Sequence, residues 1–377
     1  MYDRYCHILD YNDPQQVISI IEEKINEDTA DINDYACLFN LYIHVQNNTK
    51  AEELLPFILN KFPKLDKTNF SILKNFKGDY KLLWEAYFKK TIKVYPKGVY
   101  ENVKYLLKLK NVKLVTDLNH LENVFLFKQG GTGDEILFFR WISQLKNFVS
   151  GEIQYLSDQI IDDTFFRIDC GLKKFTYNPK KNYTALSIFQ LPHLLNIGDN
   201  ISNQRYLSCN MELLPLYANK TKFRIGLCHH GQNISKLRGL LSIPRDDIVE
   251  KIGDRAEIVN LYYGEKTYVK GQKTLLKKEP RNSLMLYPKL DNYEELLAII
   301  ETCDVVISCD TSVAHAAGAM GKKTFVLCNG RLYFPWFIEG HVGKSRFYED
   351  VTVVKQFQPA NWEISVDKVV NELIQYK

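Results

Sequence analysis

Three stretches of this sequence hold residues whose types and spacing could do chemistry. The first is KQGGTGDEILFFR, in which Gly130, Gly131 and Gly133 precede Asp134. Glycines there allow positive φ and a close approach of ligand to backbone around Gly131, Thr132 and Gly133, just ahead of a helix start. A carboxylate at Asp134 then has two roles open to it. It caps the helix, worth about 0.5–2 kcal/mol, or it projects into a cleft as a general base. The G-G-x-G pattern lacks the G-x-G-x-x-G spacing of a dinucleotide-binding turn.

A second stretch, HHGQNISKLRGLLSIP, is a polar loop carrying Gly231, Lys236 and Arg238. Cations on such a loop suit a diphosphate, because they neutralise oxygens that stay negative through a reaction; the alternative is a solvated loop with surface cations. The third is VVISCDTSVAHAAGAMG, where an apolar run ends at Asp310-Thr311-Ser312 and a small-residue helix containing Val313 and His315 begins at once. The unpaired N–H groups of a first helical turn, with the dipole behind them, make an anion site. A well-capped turn with a core histidine fits the same residues. No D-x-D triplet occurs, and a transferase lacking clustered carboxylates would lean on cations and helix ends in place of a divalent ion.

The elements that must position these residues follow from periodicity. Apolar residues recur at helical spacing in VISIIEEKI, after Asp13-Pro14 with its N-cap and first-turn proline, and again in DINDYACLFNLYIHVQNNTKAEELLPFILNKFP and GDYKLLWEAYFKKTIKVYP. Segments of this size that cannot bury their own apolar faces suggest stacked helical hairpins of tetratricopeptide type over residues 1–119. From Val124 the pattern changes to short apolar runs bounded by glycine and followed by helices: VFLFKQ, EIQYL and TALSIF, then RIGLC, EIVNLYY, VVISC and TFVLC. Such α/β units predict two doubly wound, Rossmann-like domains, 120–218 and 219–377, joined near Leu213–Lys222 and facing each other across a ligand-binding cleft. WEISVDKVVNELIQ closes the chain as an amphipathic helix.

Composition narrows the class. With 377 residues, 45% hydrophobic and 25% charged, the chain is an ordinary globular one of two or three domains. Lys plus Arg number 49 against 45 Asp plus Glu, and the resulting +4 is too small to imply a nucleic-acid partner by itself. The start, MYDRYCHILDYNDP, lacks the apolar core of a signal peptide, and no run approaches a bilayer span, so a cytoplasmic location is the expectation. Eight cysteines without a C-x-x-C pair read as reduced, buried thiols, with neither a disulfide framework nor a zinc site.

In order, GTGDEILFFRW, GLCHHGQNISK followed by SIP, and PKLDNYEELLAIIETCDVVISCDTSVAHAAGAMGKKTFVL resemble glycosyltransferase family 9, which contains the bacterial lipopolysaccharide heptosyltransferases. GDYKLLWEAYFKK is similar to the last helical repeat of those members that carry a tetratricopeptide region in front. The resemblance runs from about residue 78 to 360 and is strongest from 287 to 328. It implies a GT-B fold and an inverting, metal-independent transfer from a nucleotide diphosphate sugar, with no cofactor beyond that co-substrate. Asp134 would then deprotonate the acceptor hydroxyl. Lys236 would contact the phosphates, Asp310 would hold sugar or ribose hydroxyls, and the amides of Thr311, Ser312 and Val313 would take the pyrophosphate with His315 close by. Gly231 belongs to the donor loop, and Leu290 falls where the family packs an apolar residue on the nucleotide base. The chain departs from the pattern after Lys236, where it has LRGLL, so Arg238 is not carried over.

The acceptor is the least determined part. Lys89, Lys90, Lys93, Lys97, Lys104, Lys108, Lys110 and Lys113 fall within 25 residues whose only acid is Glu101, interleaved with Tyr95, Tyr100 and Tyr105. The run reads either as solvated helix faces or as a track for a phosphate backbone. The second reading would make a hydroxylated base in DNA the acceptor, as in phage DNA-modifying glycosyltransferases. A protein or a lipopolysaccharide glycan are the rivals, and a non-catalytic helical-repeat binding module is the reading outside enzymes.

Overall fold

The first three helices pack on one another in sequence. α1 (Pro14–Asn26), α2 (Ile32–His44) and α3 (Asn48–Lys61) bury Val17, Ile18, Ile21, Leu38, Leu41, Leu55 and Ile58 in one cluster. Asp31 opens α2: its carboxylate accepts from the amides of Asn33 and Asp34, and Asp34 accepts from the amide of Asp31 in return. α4 (Tyr80–Lys93) does not join them. Its Tyr80, Leu83 and Trp84 belong to the main core, which runs through both sheets of the chain. The third helical pass of the sequence is therefore a core element of the sheet-bearing part of the molecule. The computed structural model describes residues 14–45, 47–61, 80–93, 101–156, 161–168, 171–231, 242–262, 281–329, 334–357 and 361–375.

After α5 (Glu101–Leu106) comes the first sheet: β1 (Val112–Leu114), β2 (Val124–Phe127), α6 (Thr132–Phe139), α7 (Ile142–Leu145), β3 (Ile153–Leu156), α8 (Asp162–Arg167), β4 (Leu172–Lys174), β5 (Tyr183–Ser187) and α9 (Leu191–Leu194). The strands lie in the order β1-β5-β2-β3-β4, all parallel. VFLF of β2 is buried at every position, as a central strand covered on both faces requires. This sheet reaches back to β1, ahead of the expected boundary at residue 120. A three-residue edge strand shows no alternation long enough to announce itself, and only its pairing with β5 reveals it.

The second sheet holds β6 (Arg224–Cys228), α10 (Arg245–Ile252), β7 (Glu257–Asn260), β8 (Met285–Leu286), α11 (Tyr293–Thr302), β9 (Val305–Cys309), α12 (Ser312–Ala319), β10 (Thr324–Cys328), β11 (Val342–Lys344), β12 (Val351–Lys355) and α13 (Glu363–Ile374). Its order is β11-β12-β10-β9-β6-β7-β8, parallel except for the edge strand β11. Arg224 anchors the connection between the sheets. Its buried guanidinium donates to the carbonyls of Tyr217 and Asn219 at 2.6 Å each and to Thr302 Oγ1 at 2.7 Å, and pairs with Glu257.

Candidate functional site

In each sheet the central strand ends in a turn that starts a helix, and the two helix starts meet. β2 runs through Lys128–Gly131 into α6; β9 runs through Asp310 and Thr311 into α12. A Cβ placed on Gly133 would stand 2.7 Å from the His315 ring and 3.5 Å from Ser312 Cα, so only a glycine lets α6 approach α12 this closely. The carboxyl ends of both sheets thus open on one seam, the place where such sheets bind ligands.

Asp134 sits in the first turn of α6. Its Oδ2 accepts from the amide of Gly131 at 2.8 Å, the reciprocal half of a capping box. Gly130 has φ +86, and a Cβ there would lie 2.5 Å from that oxygen and 2.8 Å from the tip of Phe189. The glycines therefore serve to bring backbone against the carboxylate, and the Phe189 ring shares its pocket. Thr132 and Gly133 are the first residues of α6, beside Gly131, its N-cap. The cap and a role in the cleft are compatible, since the carboxylate stays half-buried at the seam.

On the other side, Asp310 accepts at 2.6 Å from the indole of Trp336, which is 2% exposed. Trp336 is therefore a packed residue that fixes a carboxylate, a link between residues 26 apart that no local pattern signals. Thr311 Oγ1 lies 3.0 Å from Ser308 Oγ, and its methyl would stand 3.1 Å from a Cβ on Gly231. The Ser312 carbonyl accepts from Tyr293; Val313 is buried. The amides of this first turn have no acceptor within the helix, by helix geometry. His315 is 2% exposed, with Nδ1 2.8 Å from the Tyr348 hydroxyl and its ring 4.5 Å from that of Trp336. Burial, with a smaller effect of Arg140, pushes its imidazole down to about 3, so it is neutral in the fold. Leu290, half-buried ahead of α11, packs against the main core. Lys236 and Arg238 lie outside the described residues. At the ends of β6 and β7, the His230 and Tyr262 rings meet at 42° with centroids 3.9 Å apart, an aromatic contact that the sequence did not single out.

Directly behind Asp134, Lys128 and Glu135 form an ion pair at 3.0 Å, and Tyr155 donates to the other Glu135 oxygen at 2.6 Å. Burial pushes the Cys309 and Cys328 thiols well above their ordinary value, so they remain protonated. Cys6 and Cys170 lie outside the described residues. Of the lysine run, Lys108, Lys110 and Lys113 are exposed. Lys108 and Lys110 precede β1, which places them at the amino edge of the first sheet, opposite the seam. Lys97, Tyr95 and Tyr100 lie outside the described residues. Among the described residues no group of three or more His, Cys, Asp or Glu is placed to hold a metal ion, and no helix is long and apolar enough to cross a membrane.

What this arrangement can do is remove a proton on one side of the seam and accept negative charge on the other. No protein-family model and no curated protein matches the chain. Among solved structures it is similar to a glycosyltransferase family 9 protein from Veillonella parvula, at 10% identity over 68% of this chain and 91% of that one, TM-score 0.45. It is also similar to E. coli ADP-heptose lipopolysaccharide heptosyltransferase II, at 9% over 67% and 98%, TM-score 0.43. A third is TibC, an iron-containing dodecameric glycosyltransferase from enterotoxigenic E. coli, at 11% over 68% and 77%, TM-score 0.44.

Proposed function

We propose that the chain is a glycosyltransferase of GT-B type, inverting and metal-independent, that moves a sugar from a nucleotide diphosphate sugar to a hydroxyl of a macromolecular acceptor. The observation that carries this reading is the meeting of the α6 and α12 starts at Gly133, which sets the Asp134 turn against the Asp310-Thr311-Ser312 turn. Together with the motifs that resemble family 9, it gives each half of the seam one task. Asp134 takes the proton of the acceptor hydroxyl as that oxygen attacks the anomeric carbon from the face opposite the leaving group. The bond to the diphosphate breaks, and the released charge is met by the first-turn amides of α12 and by Lys236. Asp310, held by Trp336, orients sugar or ribose hydroxyls. His315, buried against Tyr348 and Trp336, supports the α12 start.

For the acceptor, the lysine run supports a hydroxylated base in DNA. Lys108 and Lys110 precede the edge strand β1 and Lys113 lies in it, so a duplex held there would have to pass around that edge to reach Asp134. Binding of this kind weakens steeply with salt, in proportion to the phosphates contacted. No measurable duplex affinity at low salt would leave a protein or a lipopolysaccharide glycan as the acceptor.

The deciding experiment pairs a thermal-shift screen of nucleotide sugars with Asp134→Asn. A ligand bound only by the folded chain raises its melting temperature. Asparagine keeps an oxygen for the Gly131 amide but cannot take a proton. The variant should bind the donor as the parent does and transfer about 10²–10⁴-fold more slowly. Unchanged turnover refutes the role of Asp134. If no nucleotide sugar stabilises the parent chain, the non-catalytic binding module is the correct reading.

A further inference from the structure

The helix α4 touches both sides of the seam, at residues next to those that hold or follow each carboxylate. Trp84, 1% exposed, sets its ring edge-on against Phe138 at 5.9 Å and against Phe334 at 5.8 Å. Phe138 stands four residues after Asp134 on α6, hence on the same face one turn along. Phe334 opens the short turn Phe334–Trp336 whose last residue holds Asp310. Tyr87 reaches the same two sides, with ring centroids 5.2 Å from Phe189 and 5.7 Å from Phe334. Phe189 in turn bounds the pocket of the Asp134 carboxylate beside Gly130.

The helix is held in place at its first turns. The Trp84 indole donates to the Gly198 carbonyl at 3.0 Å, the Tyr80 amide donates to Asp199 at 3.1 Å, and the Tyr80 ring lies edge-on to Phe347 at 5.5 Å. Gly198 and Asp199 follow the first sheet, whereas Phe334 and Phe347 belong to the second half. Aromatic rings have few torsions and fixed thickness, so a displacement of α4 is passed on to the side chains they touch.

We propose that α4 sets the separation of Asp134 and Asp310, with Trp84 and Tyr87 as positioning residues. The roles of the two carboxylates rest on the glycosyltransferase reading; the clamp itself does not. Trp84, at 1% exposure, is closed off from any ligand in the seam. A misplacement of about 1 Å far from the chemistry can lower turnover about 10²-fold without removing a binding group.

The test uses the full chain with Trp84→Ala, Trp84→Phe and Tyr87→Ala. ADP and UDP binding is measured by calorimetry, hydrolytic release of nucleoside diphosphate, with water taking the glycosyl group, is measured from ADP-glucose and UDP-glucose, and amide exchange is followed in α6 and in 334–348. Trp84→Ala and Tyr87→Ala should release nucleotide about 10–100-fold more slowly, with ADP and UDP affinity unchanged. Trp84→Phe, which keeps one ring edge while losing the bond to Gly198 and the second ring of the indole, should recover part of that rate. Exchange in α6 and in 334–348 should speed up together in the alanine variants.

Unchanged turnover overturns the proposal, and so does a loss of turnover matched by a loss of nucleotide affinity. Faster exchange confined to one side of the seam also overturns it. Should Trp84→Ala fail to fold, Tyr87→Ala and Trp84→Phe decide the same question. If the parent chain neither binds nor releases ADP or UDP, its donor carries another nucleotide or the glycosyltransferase reading fails, which the nucleotide-sugar screen decides, and the exchange arm still decides whether α4 ties the two halves.

Discussion

Lys128 and Glu135 are buried together, at 1% and 0% exposure, immediately behind the candidate base. Removing one partner of such a pair leaves an uncompensated charge in the core, whereas replacing both with apolar groups of similar size removes the desolvation cost as well. Lys128→Met should therefore lower unfolding free energy by about 3–5 kcal/mol, and the double change Lys128→Met/Glu135→Met by clearly less. Denaturant midpoints of the single and double variants check this, and equal losses would show that the pair does not act as one. His315 gives a pH effect of definite sign. Unfolded, the ring takes a proton near its ordinary value of 6.5; folded, only near 3. Between those values the unfolded chain holds one proton more, so this share of stability is complete above 6.5 and is lost as pH falls toward 3. His315→Gln should flatten the curve, losing less between about pH 7 and about pH 4 than the parent does in urea titrations. Identical pH dependence would mean that another group titrates there.

At the scale of elements, α6 and α12 are a matched pair. Gly133→Ala puts two effects in competition. Alanine favours the helix by up to about 1 kcal/mol, but its Cβ would stand 2.7 Å from a His315 ring already fixed by Tyr348 and Trp336. The clash should win. A net loss of about 1–3 kcal/mol, with a melting temperature lower by a few degrees, is expected, together with slower turnover. A more stable variant would show that the seam can open. The sequence made these two units legible. Glycines before Asp134 and the VVISC run before Asp310 announce strand, turn and helix, and β2–α6 and β9–α12 lie where those signals put them. It hid what depends on distant pairing. β1 and β8 are too short to alternate, β12 is an apolar run like any other, and the hold of Trp336 on Asp310 crosses 26 residues. The periodicity of α4 shows a helix with an apolar face; it does not show that the face belongs to the sheets and not to the helices before it.

Across the whole molecule, Arg140 does at the end of α6 what α4 does along its side. Its guanidinium donates to the carbonyls of Ser202 at 2.8 Å and Phe347 at 2.7 Å, and to the Tyr206 hydroxyl at 3.1 Å. It lies 4.7 Å from the Tyr206 ring and 4.8 Å from that of Tyr348. Ser202 and Tyr206 precede the second sheet; Phe347 and Tyr348 lie in the connection between its strands β11 and β12. With both ties in place the two halves should unfold as one unit. Arg140→Ala should divide a single calorimetric transition into two, and Arg140→Lys should restore little, because an ammonium cannot reproduce a planar fork bonded to three acceptors. One sharp transition in Arg140→Ala would place the coupling elsewhere. The membership of α4 in the common core also bears on how such a chain can be rearranged. The leading helices up to Lys61 share a separate apolar cluster and could be exchanged for another module, but everything from Tyr80 onward would have to travel together. A graft made at residue 120 would part the Trp84 and Tyr80 side chains from the partners they fill.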